Sequence, residues 1–478
     1  MLTHSKHSDK ISLCKSLHIF CQKRVGGKEK MKKLLALLLA MLLLTTLLAG
    51  CATNPTDNPD KGDSPDSNVE DSGDSGDSGD EDITINLWHI YIDETDRNRI
   101  TTEEYIAAYE EAHPNVKIEQ HVLMDVDYKA KMLTEFSGNA AGIDVFSYWG
   151  AGRAGDFVYA DKLLCIEDYL SDEQLASIKP GSDTNFRYDD KLYGLPMSSW
   201  MMILYCNEEL FEANGAKLPE TYDEWLEACQ IFADAGIIPV ALGGGVDDAW
   251  QAAFVYEALV NRIVGAEAEN EVLANMAGFA DDPGFKEAAE KMMALTAINA
   301  FGNSPLEIDE LTSSTQFLTG AAAMRLTGSW FTDQIYTLDS SEVEGKVAAL
   351  PIPMVEGGNG LVTDYVGGFI DGFFINKEVA NPDVVADFTY GLCVALGTRQ
   401  HEIGEGFTAY DVTVDESGLY PLGQDIAAIA NNCILGFVAW DTFLPGDLAD
   451  IHLDATQNLL SARADIDAFM SEYEAIFN

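Results

Sequence analysis

The sequence predicts an α/β fold divided between two lobes. Strand-like and helix-like segments alternate from residue 83 onward. That order, strand–helix–strand–helix, argues for a largely parallel sheet. Roughly 400 residues follow the N-terminal segments, more than one small core accommodates. Hydrophobic residues make up 47% and there are seven Trp, enough apolar material for two cores.

Taken in chain order, the first element is a leader. Met31-Lys32-Lys33 supplies positive charge, and Leu34 to Leu48 is an almost unbroken apolar run. Small residues precede Cys51 in Leu48-Ala49-Gly50-Cys51. A charged start, a short apolar core and small residues before the cut describe an export signal. The run is short for a bilayer span. Met31 begins a complete leader, so it is read as the true start, with Cys14 and Cys21 absent from the mature chain. The junction resembles the bacterial lipoprotein cleavage box. It implies lipidation of Cys51, palmitate included, and a membrane partnership through that anchor on the extracellular face of the cell membrane.

Residues 51–82 read as a tether. They are Asp, Ser, Gly, Asn and Pro, with a repeat over Asp71 to Asp80. Such a segment cannot bury enough apolar surface to offset its ordering entropy. Its aspartates do not converge on an ion without a folded loop.

The chain holds 29 basic and 79 acidic residues. The first fifty carry nine and two of these, leaving 20 against 77 and a net of −57. That field excludes nucleic acid as a partner. Beyond Cys51 the cysteines are Cys165, Cys206, Cys229, Cys393 and Cys433, an odd and scattered set that argues against a disulfide framework. No histidine pair has metal-ligand spacing, and no metal or cofactor is expected.

The folded part opens with a strand, Ile83 to Trp88, alternating at period two. Thr101 with Glu104 predicts a capping box, and Pro114 ends the helix that follows. Val116 to Leu123 is a second strand, Tyr128 to Phe136 a helix, and Ile143 to Phe146 a short buried strand. Ile237 to Leu242 is an apolar strand leading into Gly243-Gly244-Gly245, which lacks the Gly-Lys-Ser/Thr of a phosphate loop. Trp225 lies in an amphipathic helical pattern and is assigned to packing.

A set of segments in order resembles the sugar-binding extracellular solute-binding proteins of ABC importers, the family that includes maltose-binding proteins. They include Ile85-Asn86-Leu87-Trp88-His89, His113-Pro114-Asn115-Val116, Lys191-Leu192-Tyr193-Gly194-Leu195-Pro196, Pro219 to Trp225, Gly320 to Trp330 and Gly367-Gly368-Phe369 to Lys377. The likeness covers nearly all of 83–478. One departure is Ile143-Asp144, where the family usually has Pro-Asp. The resemblance implies a two-lobed periplasmic-binding-protein-like (type II) fold, each lobe a sheet flanked by helices, joined by hinge segments. Mapped by motif, the leader is 1–50, the tether 51–82, lobe one 83–195 plus 346–395, and lobe two 196–345 plus 396–478. Crossings are expected at Tyr193 to Pro196 and at Lys346 to Pro353.

Sugar rings need flat aromatic platforms with polar groups at their edges. The resemblance places such platforms at Trp330, Trp149 and Trp440. Trp88, His89, Trp200, Trp250 and Asp247 are the further ligand-binding candidates, and Asp93, Arg153, Asp248, Asp371 and Asp441 are candidates for the polar rim. No nucleophile elbow or His-Glu-x-x-His motif occurs. Carboxylates are so abundant that a hydrolase pair carries no signal, so an enzyme is not expected. The resulting expectation is a monomeric binding protein that takes a carbohydrate, an oligosaccharide, and hands it to the transmembrane subunits of an ABC permease. A surface sensor or adhesin without transport is the alternative, a glycoside-processing enzyme a weaker one.

Overall fold

A computed structural model describes residues 82–477. The leader, Cys51 and the tether up to residue 81 lie outside the described residues.

The first sheet is built from the alternation read in sequence. Strand β1 (Ile83–His89) is followed by α1 (Arg97–Ala112), β2 (Val116–Val122), α2 (Asp125–Ser137), β3 (Val145–Trp149) and α3 (Ala151–Tyr159). β1 pairs in parallel with both β2 and β3, Leu87 opposite Gln120 and Val145. Ile85 and Leu87 point into the core while Thr84 and Asn86 are more exposed, as period two requires. The predicted capping box at Thr101 is not used. Asp96 caps α1 by accepting from the Asn98 amide, and Thr101 is buried one turn inside the helix.

Next come β4 (Gly194–Pro196), β5 (Ser199–Asn207), α4 (Tyr222–Ala235), β6 (Ile238–Ala241), α5 (Trp250–Ile263), α6 (Glu310–Leu318), β7 (Ala322–Gly328) and α7 (Phe331–Thr337). Thr221 and Glu224 form a true capping box at the start of α4, and Trp225 on that helix is buried in the core. The chain continues through β8 (Val347–Leu350), β9 (Asp364–Phe369), β10 (Asp371–Ile375), α8 (Pro382–Ile403), β11 (Leu435–Phe437), α9 (Trp440–Phe443) and α10 (Gly446–Leu460).

Among the described residues two large sheets result, beside a small hairpin that pairs Arg187–Tyr188 with Lys191–Leu192. One runs β2–β1–β3–β10–β4, the other β11–β9–β5–β7–β6 with β8 alongside β5. Neither is purely parallel. β10 runs antiparallel to β3 and β4, and β5 antiparallel to β7, β8 and β9. Each sheet has its own core, one centred on Leu87, Phe146, Phe374 and Leu396, the other on Leu204, Phe232, Tyr256 and Trp440.

The chain passes between sheets at Met197–Ser198 and again at Ile370. Lys346 to Pro353 does not carry the second passage. Its strand β8 pairs with Leu204 to Asn207 of β5, and β9 pairs with Ser199 to Met201, so residues 347–369 lie with the second sheet rather than the first. Beyond residue 395, α8 continues to Ile403, and Leu396, Ala409 and Tyr410 still belong to the first core.

Where the lobes touch, α3 and α9 pack without clearance. A β-carbon at Gly152 would collide with the Phe443 and Leu444 carbonyls, which is why glycine stands there. Among the described residues no helix is long and apolar enough to cross a membrane, and no group of three or more His, Cys, Asp or Glu is placed to hold a metal ion. Cys165, Cys206, Cys229, Cys393 and Cys433 are all free thiols.

Candidate functional site between the lobes

Asp371 is the first residue of β10, directly after the passage at Ile370. Trp149, at the end of β3 in the first lobe, and Trp200, near the start of β5 in the second, lie close enough to its carboxyl to act on it. Burial pushes this carboxyl up to about 7, and the nearby Asp125 adds to the rise. The Trp200 indole, Lys129 and the Trp149 indole oppose it by favouring the charged form.

Around this carboxyl the second lobe presents an aromatic group. Trp200 stacks on Phe254 at 5.6 Å and meets Trp330 edge to face at 4.8 Å. Trp250 lies 5.0 Å from Phe254 and 6.2 Å from Trp330. Trp250 and Phe254 are four apart on α5 and so share one face. From the first lobe, Trp149 stands under the Lys129 ammonium at 4.6 Å, and Lys129 is held by Asp125 at 2.6 Å. Trp149, Trp250 and Trp330 each keep part of their surface exposed.

Asp248 joins the group. It accepts from the Glu310 amide at 2.9 Å, and the Trp250 indole two residues on favours its charged form. Burial raises its pKa, and it feels Asp125 and Lys129 across the lobes. Arg153 and Asp441 form a second link between lobes, a nearly buried ion pair at 2.8 Å.

Four of the predicted platforms, Trp330, Trp149, Trp200 and Trp250, are therefore brought together with Asp371 and Asp248. Three other candidates are not. Trp440 is fully buried, its indole donating to Glu269 at 2.6 Å and its backbone amide to Glu257 at 3.1 Å, among Tyr256, Phe285 and Phe477. It is a core residue of the second lobe. Trp88 stacks on His121 at 4.4 Å and donates to the Gly142 carbonyl, beyond the start of β3 and away from Trp149. His89 is fully buried, paired with Gln120 at 3.1 Å, and burial lowers its pKa to about 4. Of Asp247 only the backbone is described, in a 3-10 turn over Val246–Asp248. Asp93 is used in a local turn with Thr95.

Sequence reasoning missed Asp125, Lys129 and Phe254. The first two sit in the opening turns of α2, at the carboxyl end of β2, where ligands of α/β sheets gather. Phe254 was legible only as the residue one turn after Trp250.

Flat rings with carboxylates at their edges suit a hydroxyl-rich ligand with apolar C–H faces. A solved structure from work on xylan utilization by the thermophilic bacterium Caldanaerobius polysaccharolyticus is 28% identical, with a TM-score of 0.77 over 83% of this chain and 100% of that one. A chitin oligosaccharide binding protein shares the fold at 23% identity and a TM-score of 0.73, over 83% and 98%. In sequence, an uncharacterized ABC transporter extracellular-binding protein of Pyrococcus horikoshii is 22% identical over 69% of this chain and 74% of its own length. The neighbours are substrate-binding proteins, and their two-lobed fold is that of this chain. The family model for bacterial extracellular solute-binding proteins matches residues 95–389. With that match over more than half its length, the chain belongs to the bacterial extracellular solute-binding proteins, the ligand-capturing components of ABC transporters.

Proposed function

We propose that this protein is a lipid-anchored receptor that captures an oligosaccharide between its lobes and delivers it to an ABC permease. The observation that carries the reading is the convergence of Trp149 from one lobe with Trp200, Trp250 and Trp330 from the other around Asp371. A sugar held there touches both lobes at once. Such contacts exist only when the lobes are together, and that differential affinity favours the closed state.

Xylan-derived oligosaccharides are the first ligands to try, because the 28% identical structure comes from a xylan-utilization study. Chitin-derived chains are the second. The ligand leaves chemically unchanged. The anchor is Cys51, and the acidic tether lets the receptor range over the outer membrane face.

The test is titration calorimetry against xylo-, chito- and malto-oligosaccharides, with Trp330→Ala alongside. Heat with one series, lost in the variant, and full recovery of the sugar at its original length supports the reading. A silent sugar panel together with heat from peptides or polyamines overturns it. Cys51→Ala should release the protein from the membrane fraction of cells, and retention there would refute the anchor.

A further inference from the structure

The run Gly243-Gly244-Gly245 suggests a loose loop, yet it is bonded on every side. The Gly243 amide donates to Gln251 Oε1 at 2.8 Å. Gln457 of α10 donates to the Gly244 and Gly245 carbonyls, both at 2.8 Å. A β-carbon at Gly243 would stand 2.6 Å from the Asp309 carbonyl oxygen, so glycine serves close packing here.

Behind the loop runs a chain of polar contacts. Gln251 Nε2 donates to Glu310 Oε2 at 2.5 Å. Both Glu310 oxygens accept from Arg325 Nη2, at 2.7 and 2.8 Å. Arg325 is wholly buried on β7, and its Nη1 donates to Ser313 at 2.8 Å. From the same Glu310, the backbone amide donates to Asp248, which stands two residues before Trp250, the first residue of α5. The first residue of α6 thus ties the interior of the second sheet to the rim of the site.

We propose that Glu310, backed by Arg325 and Gln251, is a positioning residue that fixes Asp248 and Trp250 before the ligand arrives. The inference rests on the carbohydrate reading for its ligand. A rim ordered in advance spares the ligand the cost of ordering it, so affinity is gained without a contact from Glu310 itself. A residue that acts through another shows this in a double-mutant cycle, because its effect disappears once the intermediary is gone.

The experiment is that cycle, read by calorimetry with whichever oligosaccharide binds the wild type. Glu310→Gln should weaken binding about tenfold in the wild-type background and less than about twofold in Trp250→Ala. The same loss in both backgrounds, or none in either, overturns the proposal. Gln251→Leu leaves the Arg325–Glu310 pair in place and should reproduce the effect if Glu310→Gln folds poorly. A second readout needs no ligand: with 5-fluorotryptophan incorporated, the Trp250 fluorine resonance should shift or broaden in either variant. A wild type that binds no sugar rejects the carbohydrate reading, whereas an unmoved Trp250 resonance rejects the positioning role.

Discussion

Trp200 and Trp330 meet edge to face, with ring centroids 4.8 Å apart and planes at 78°. Trp200 is the buried member, at 8% exposure, and Trp330 the partly open one. A partly open site ring and a core ring should respond differently to truncation. Trp330→Ala is expected to weaken ligand binding about tenfold or more with little change in melting temperature. Trp440→Ala should do the reverse, costing about 3–5 kcal/mol of stability as a large core deletion. Paired calorimetric titrations and thermal melts of the two variants decide this. Equal affinity losses would show that Trp330 is not a platform.

Asp371 makes stability and binding pH-dependent. Its carboxyl lies near 7 in the folded protein against an ordinary value of 3.8. The folded state therefore keeps a proton that the unfolded chain gives up. The stability this represents is full below the unfolded value and is lost as pH rises through about 7. Between pH 5 and 8 the wild type should lose melting temperature relative to Asp371→Asn, and parallel curves would refute the assignment. A hydroxyl donating to Asp371 favours the ionised form. Binding near pH 7 should then release protons, seen as calorimetric heats that vary with buffer ionisation enthalpy.

Removing one partner of the Arg153–Asp441 pair leaves the other ion stranded. The two side chains are 15% and 8% exposed, and the guanidinium lies 5.9 Å from the Trp149 ring. Asp441→Asn should cost about 3 kcal/mol in urea denaturation. Arg153→Met with Asp441→Leu should recover most of that loss. If the double variant is as unstable as the single one, the loss does not come from a stranded ion.

Closure over a ligand predicts a smaller molecule. Small-angle scattering should show a reduced radius of gyration when oligosaccharide is added, and Trp149→Ala should blunt the change. An unchanged radius in the wild type counts against capture by closure.

The elements at the start of the chain were legible because they are local. Ile83 to His89 alternates cleanly, and Tyr128 to Phe136 sits inside α2. The cap of α1 was misread because Asp93, Glu94 and Asp96 all stand in the preceding loop, and Thr101 offered a tidier pattern than the Asp96 that is used. The antiparallel strands were hidden because their pairings are distant: Phe374 faces Phe146 across more than two hundred residues of chain. Trp440 shows the same difficulty. Nothing in Phe437 to Asp441 reveals that Glu269, 171 positions earlier, will accept its indole proton. Trp149, Trp200, Trp250 and Trp330, which the structure places near one another, were legible as candidates because strand ends and helix starts are visible in sequence, and those are the places where side chains gather.

The seam at Gly152 limits how the two halves can move. Its bare Cα rests against the Phe443 and Leu444 carbonyls with no room for even a methyl group. Gliding of one body past the other is blocked at that spot, which leaves pivoting as the available freedom. The Arg153–Asp441 bridge sits one residue from that seam, and Arg153 and Lys129 both lie against the ring of Trp149, so the seam and the first-lobe side of the site are neighbours.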